Sequence, residues 1–191
     1  MNPIELFLEL LRQWRDRGAV TFDDDAVHAP HAAVSAFDLD AFGQLADTLR
    51  RQSGTLHDAV SALTDVGAEV PQSWTGSAAT ALQTAASRLA VDLVPTAEAV
   101  ARHAASATAA RDVLSGVLDD YRTTMSAATD PLAAGLALPE ARAELNARLE
   151  LAAEAGRAAS AAVDDSIAVL GDEWRSAWDL SGGELVLAGD R

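Results

Sequence analysis

The residues in this sequence with the most chemical potential are four histidines and several groups of carboxylates. Asp23, Asp24 and Asp25 stand just before His28 and His31, and a His-x-x-His pair beside carboxylates is a donor set that divalent metals accept. The same residues also suit a solvated acidic loop. Because this segment carries no clear helix or strand pattern to hold the donors in place, we expect no metal site.

Another histidine falls inside a long apolar pattern. His103 lies on an apolar row of a predicted helix, whereas His57 lies on a polar helix face. A histidine in such a row either fixes how the helices pair or acts as a pH-sensitive element at an interface. Asp119 and Asp120 are direct neighbours on a helix and point apart, which predicts a solvated face rather than an acid–base pair.

Motifs of common catalytic sites are missing from the sequence. It contains no Gly-x-Ser-x-Gly elbow, no His-Glu-x-x-His motif and no glycine-rich phosphate loop. It contains no cysteine, which excludes thiol nucleophiles and disulfides, and no lysine, which excludes Schiff-base chemistry. We therefore predict that the protein is not an enzyme and uses no cofactor and no metal.

Composition and charge restrict the fold and the partners. The 191 residues include 43 alanines, and alanine favours helices and disfavours strands, so we predict an all-α protein. A net charge of −15 excludes the basic surface that nucleic acids require. The apolar run from Ile4 to Leu11 is too short to span a bilayer and follows no positive charge, so we expect no membrane span and no Sec signal peptide.

Hydrophobic periodicity divides the chain into five segments. We expect Asn2 to cap the first helix, Pro3 to occupy its first position, Gly18 to end it and Pro139 to open the last helix. The segments are an N-terminal amphipathic helix (1–18), an irregular linker (19–36), a helical hairpin (37–128), a C-terminal helix that packs on the hairpin (129–180) and a flexible tail (181–191) with the apolar run Leu185 to Leu187.

Each hairpin helix shows two apolar rows with a spacing of seven residues. In the first helix one row starts at Phe42 and the other at Leu45, and the pattern stops near Pro71. In the second helix Pro95 predicts a kink or break. The rows predict this helix interface: Phe42, Leu45, Leu49, Leu56, Leu63, Leu89, Leu93, Val100 and Leu114.

Together these patterns predict a long antiparallel helical hairpin with additional helices that form an elongated bundle. Two amphipathic helices leave a face uncovered, and either the C-terminal helix covers it within the monomer or a partner hairpin does so. Trp174 and Trp178 lie four residues apart on the last helix. They either dock a partner or pack the end of the bundle.

The turn between the two hairpin helices reads Ser73-Trp74-Thr75-Gly76. With Trp74 and Gly76 between two heptad-patterned helices, residues 37–128 resemble the WXG family of helical proteins exported by the type VII (ESX) secretion system. The resemblance implies a recognition surface at Trp74 and Gly76 and pairing as a homodimer or a WXG-type heterodimer. It also implies secretion without a Sec signal peptide. In the other interpretation, Trp74 merely packs on the end of the bundle.

The chain departs from the family pattern after the hairpin. Secreted members carry Tyr-xxx-Asp/Glu there; Tyr121 stands at that place, but Met125 replaces the acid, so Tyr121 is a degenerate export signal. The chain is also about twice the usual family length. The resemblance implies a type VII secretion substrate or the targeting domain of an effector. The alternative is an adaptor or chaperone that stays in the cytoplasm.

Overall fold

The computed structural model describes residues 2–180, excluding the side chains of residues 71–73 and 176–180. The described residues are helical without any strand, which confirms the all-α fold. Of the helices described, none combines the length and apolarity that a membrane span needs. The predicted tail at 181–191 lies outside the described residues. The helices are α1 (Pro3–Arg15), α2 (Asp24–His28), a 3₁₀ turn (Ala29–His31), α3 (Ala32–Ala36), α4 (Leu39–Ser73), α5 (Ser77–Ala128) and α6 (Leu138–Leu180).

The chain divides into two compact units. Unit 1 comprises Met1–Leu39 and Asp112–Ala168, and unit 2 comprises Asp40–Arg111 and Val169–Arg191. Helices α5 and α6 contribute residues to both units. The predicted segments 37–128 and 129–180 therefore do not coincide with the compact units.

Helix α1 begins and ends as its sequence predicts. The Ile4 amide donates a hydrogen bond to the Asn2 side chain over 3.2 Å, and Pro3 occupies the first turn. After the helix, Gly18 takes a positive φ of 75° and its amide donates to the Arg15 carbonyl over 2.9 Å. Local hydrogen bonds therefore define both ends of α1.

The core of unit 1 is built from α1, α5 and α6. Helix α1 contributes four side chains that have no solvent exposure, and α5 and α6 supply a mixture of large and small residues around them. This close packing of long aliphatic side chains with alanines is typical of helix–helix interfaces. The principal members are Ile4, Phe7, Leu8, Leu11, Leu118, Tyr121, Met125, Ala141, Leu145, Ala152 and Ala159.

The irregular linker predicted for residues 19–36 is wrong for residues 24–36, which form α2, the 3₁₀ turn and α3. Residues 19–23 are irregular, as predicted. The Asp23 side chain accepts a hydrogen bond from the Asp25 amide over 3.2 Å, and Asp24 pairs with Arg12 of α1 over 2.6 Å. Helices of five residues are unstable alone, so these contacts with the rest of unit 1 decide their formation. No local hydrophobic period reveals them.

In unit 2, α4 and α5 pair antiparallel, as predicted. The Arg50 guanidinium donates a hydrogen bond to the Thr108 hydroxyl over 3.2 Å, and Gly43 lies beside the Arg111 side chain. Further along α4, Gly67 lies beside Ser87. Residue numbers thus fall along α5 as they rise along α4.

Neither Pro71 nor Pro95 breaks its helix. Helix α4 does not stop at Val70 but continues through Pro71 to Ser73, and the Trp74 amide donates to the Val70 carbonyl over 2.9 Å. This hydrogen bond closes the last turn around Pro71. Helix α5 runs unbroken through Pro95, because its other backbone hydrogen bonds and its packing outweigh the single amide that proline lacks.

Candidate binding surface and a buried histidine

The turn between α4 and α5 displays a large aromatic side chain. Trp74 is 51% exposed although an indole gains substantially from burial. Gly76 adopts a φ of 108°, which side chains other than glycine rarely tolerate, and its carbonyl accepts a hydrogen bond from the Thr80 amide over 3.1 Å. The backbone therefore turns sharply at Gly76 and leaves the Trp74 indole partly in solvent.

The inner face of the hairpin uses one of the two predicted rows of each helix. In α4, Leu49 is buried, and its neighbours on the inner face are Ala46 and Gly67. In α5, the buried members are mainly small: Ala79, Ala86, Ala90, Ala97, Ala104 and Ala107. In each helix, the second row of buried positions therefore lies four residues after the first row, whereas the sequence predicted a spacing of three. Small side chains there allow the helix backbones to approach closely.

Part of the other predicted row of each helix is partly exposed to solvent. Leu45 and Val66 of α4 and Leu82 and Leu89 of α5 are 40–51% exposed, and we call these four the exposed face. Each lies one residue before an inner position of its helix. For antiparallel helices, an equal offset in both helices brings the two rows to the same side of the hairpin.

Helix α6 covers part of this side of the hairpin. Leu170 packs against Ala46, Leu49 and Ala107, and the Trp174 ring stacks on the His103 ring with centroids 5.1 Å apart. His103 belongs to the same row as Leu82 and Leu89, which stay exposed further along α5. A cleft of about 450 Å³ on the hairpin is lined by residues that include Gln52, Leu56 and Val100.

The predicted interface residues therefore have different environments. Leu49 is buried in unit 2 and Leu114 is fully buried in unit 1. Phe42, Leu56, Leu63, Leu93 and Val100 are partly buried, whereas Leu45 and Leu89 are about half exposed. Trp174 is 48% exposed and packs on His103, so it takes part in the bundle. The side chain of Trp178 lies outside the described part of the chain.

Unit 1 contains a buried polar contact that joins three helical elements. His31 is 1% exposed, and its Nδ1 atom lies 3.0 Å from the Tyr121 hydroxyl of α5. On α6, Gly156 lies so close that a Cβ atom there would be 2.6–2.9 Å from the imidazole ring. The only sequence feature that points to this contact is Gly156 itself, a small residue between Ala152 and Ala159 on one face of α6. No sequence pattern links it to His31 or Tyr121, which lie far away in the sequence.

Burial changes the proton affinity of both partners in this contact. Desolvation lowers the pKa of His31 to about 4, and the nearby His28 contributes in the same direction. Burial raises the pKa of the Tyr121 hydroxyl. At neutral pH, His31 and Tyr121 are therefore both uncharged, and the other imidazole nitrogen, Nε2, is buried without a hydrogen-bond partner.

Replacing Tyr121 with phenylalanine is expected to lower the free energy of unfolding of unit 1 by about 1–2 kcal/mol, because Nδ1 of His31 then loses its hydrogen-bond partner in the interior. The ring itself is kept, so its packing changes little. Urea unfolding followed by circular dichroism measures the change. Equal stability of the variant and the parent would show that the hydroxyl does not contribute.

The tyrosine of the predicted export signal, Tyr121, is buried in unit 1. Its side chain is 7% exposed, and its hydroxyl contacts His31. A receptor would reach the tyrosine only after the side chains that cover it have moved. Asp120 and Met125 flank it on α5, and Met125 is itself fully buried.

The side chains of the acidic His-x-x-His segment each contact a different residue and do not converge on one point. Asp24 binds Arg12, His28 lies 3.3 Å from Glu5, and His31 contacts Tyr121. Among the described residues, no three histidine, aspartate or glutamate side chains are grouped as a metal site would require.

The chain matches no model of a protein family, no curated protein and no solved structure.

Proposed function

We propose that this chain is a non-enzymatic protein of the type VII secretion system that acts through helix–helix association. It would serve as a secreted substrate or as the targeting domain of an effector. The observation that carries the proposal is the half-exposed Trp74 in a tight turn that joins two antiparallel helices. This matches the Trp-x-Gly arrangement of the WXG family.

The exposed face supports association with an apolar helix. Leu45, Val66, Leu82 and Leu89 follow the hairpin with heptad spacing and are not covered by α6. The part of the hairpin in unit 2, residues 40–111, carries seven acids and five arginines, so most of the net charge of −15 lies elsewhere in the chain. A nearly neutral apolar face suits helix packing better than charge-driven binding.

Light scattering on the purified chain distinguishes the two kinds of partner that the resemblance implies. The chain has a mass of 19.9 kDa, and a concentration-dependent rise toward twice that value would assign the exposed face to a homodimer. A constant monomer mass would leave the face to a different helical protein.

Replacing Trp74 with alanine is expected to reduce partner binding at least tenfold and to lower the exported fraction, without changing thermal stability. A tryptophan at the centre of an interface contributes about 2 kcal/mol or more, and each 1.4 kcal/mol is tenfold in affinity. Export is measured as the share of the protein in the culture medium of a host with a type VII system. Binding is measured by co-purification from the same cells.

Val113 provides the control for Trp74, since it is 61% exposed and lies in unit 1. Its alanine variant is expected to bind and to be exported like the parent. If the Trp74 variant also behaves like the parent in both assays, the proposed role of the turn is refuted.

A cytosolic adaptor or chaperone is the second candidate function. The buried position of Tyr121 and the methionine at position 125 favour it, because both weaken the tyrosine export signal. Cell fractionation separates the two functions. A protein that stays in the cytoplasm while it still binds a helical partner through Trp74 is an adaptor.

A further inference from the structure

The segment between α1 and α4 is attached to unit 1 by a small number of polar contacts and by the apolar side chains of Val27 and Val34, which pack in the core. We call residues 23–36, which contain α2, the 3₁₀ turn and α3, the strap. The Ser160 hydroxyl of α6 donates a hydrogen bond to the Pro30 carbonyl over 2.9 Å, and the Val34 amide donates to the same hydroxyl over 3.4 Å. Because α2 and α3 have five residues each, contacts of this kind are needed to keep the strap ordered.

His31 is the most deeply buried polar side chain of the strap. Nδ1 contacts Tyr121, the ring packs on Gly156, and Nε2 is buried without a partner. A protonated imidazole carries a hydrogen on both nitrogens. The strap could then remain in place only with a buried charge and an unpaired donor at Nε2, which is unfavourable.

The charged and titratable groups around His31 do not compensate for such a charge. A cleft at its edge is lined by Asp23 of the strap and by Glu150 and Arg157 of α6. Among the described residues, no carboxylate lies within 4 Å of a His31 nitrogen. Tyr121 of α5 is neutral, and His28 of the strap pairs with Glu5 of α1.

The geometry points to a strap that is released by acid: protonation of His31 detaches residues 23–36 from α5 and α6, while those two helices stay folded. Release uncovers Tyr121 and the surface of α6 around Gly156. This device is independent of the proposed role in secretion, since it rests on contacts within unit 1.

The pH range of release follows from the proton affinities of the two states. The pKa of His31 is about 4 with the strap in place and rises toward the ordinary 6.5 in the released state. Between these values, only the released state binds the proton, so the closed state loses stability as the pH falls from 6.5 to 4. A difference of 2.5 pKa units corresponds to a change of roughly 300-fold in the opening equilibrium.

The test measures amide hydrogen exchange of the full chain at pH 7 and pH 4.5, corrected for the intrinsic exchange rates. The opening equilibrium of residues 23–36 is expected to rise about 60-fold, with a much smaller change in the amides of α4. Titration of the His31 ring by NMR is expected to give a pKa near 4. A normal value near 6.5 with the strap still protected would overturn the proposal.

Two variants distinguish the effect of protonating His31 from the effect of protonating the many carboxylates, which also titrate in acid. His31→Phe keeps a planar ring but cannot be protonated, and its strap exchange is expected to change less than threefold over the same range. His57→Gln removes an exposed histidine of α4 and is expected to respond like the parent. An equal acid response in His31→Phe and the parent would refute the role of His31.

The parent protein decides the question if His31→Phe does not fold. An increase in exchange that follows the His31 titration and is confined to residues 23–36 supports release of the strap. An increase of the same size throughout α1, α5 and α6 would instead show general acid unfolding, and the proposal would be wrong.

Discussion

Replacing Phe7 with alanine is expected to lower the free energy of unfolding of unit 1 by about 3–5 kcal/mol, which is the largest effect predicted for this chain. Phe7 has no solvent exposure and belongs to the same core as Leu118 and Met125 of α5 and Leu145 of α6. Truncation removes the transfer energy of the ring and leaves a cavity that rigid helices fill poorly. Urea unfolding of the full chain measures the loss.

Leu6 is the matched control for Phe7 because it is the preceding residue of α1 and is 39% exposed. Its alanine variant is expected to lose about 1 kcal/mol or less, since little buried volume is removed. Because the chain divides into two compact units, the unfolding transition that reports on α1 has to be identified first. Similar losses in both variants would contradict the packing of α1 described above.

Replacing Gly156 with alanine is expected to destabilise unit 1 by about 1–3 kcal/mol, although alanine is the better helix former. The new methyl group would lie 2.6–2.9 Å from the His31 ring, so the ring or the helix has to move. Moving the ring weakens the hydrogen bond to Tyr121 as well. Thermal unfolding followed by circular dichroism gives the sign and the size of the change.

Gly54 provides a control of opposite sign. It lies within α4, and a Cβ atom there would meet no atom within 4 Å. Gly54→Ala is therefore expected to stabilise the protein by up to about 1 kcal/mol through helix propensity alone. If both alanine variants are stabilised, the close approach of α6 to His31 is not a constraint on this fold.

Local sequence determined the helical class and most helix boundaries. Alanine content and hydrophobic periodicity predicted α4, α5 and α6, and Asn2 and Pro3 predicted the start of α1, because propensity and capping depend on neighbouring residues. The turn at Trp74 and Gly76 was visible for the same reason, since a glycine with positive φ is a local requirement.

The tertiary structure decided which apolar rows became the inner face. Leu45 and Leu49 both fit the heptad pattern of α4, yet Leu49 is 5% exposed and Leu45 is 51% exposed. Periodicity defines an apolar sector about 100° wide, and the position of the neighbouring helices selects which part of it is buried. This choice leaves Leu45, Val66, Leu82 and Leu89 available as the exposed face.

Long-range contacts likewise decided the structure of the strap and the state of its histidine. The sequence places His31 in an acidic segment that reads as a solvated loop. The chain fold brings it against Tyr121, 90 residues away, and against Gly156. Burial and proton affinity follow from such distant neighbours, whereas sequence spacing reports only what lies within a few helical turns.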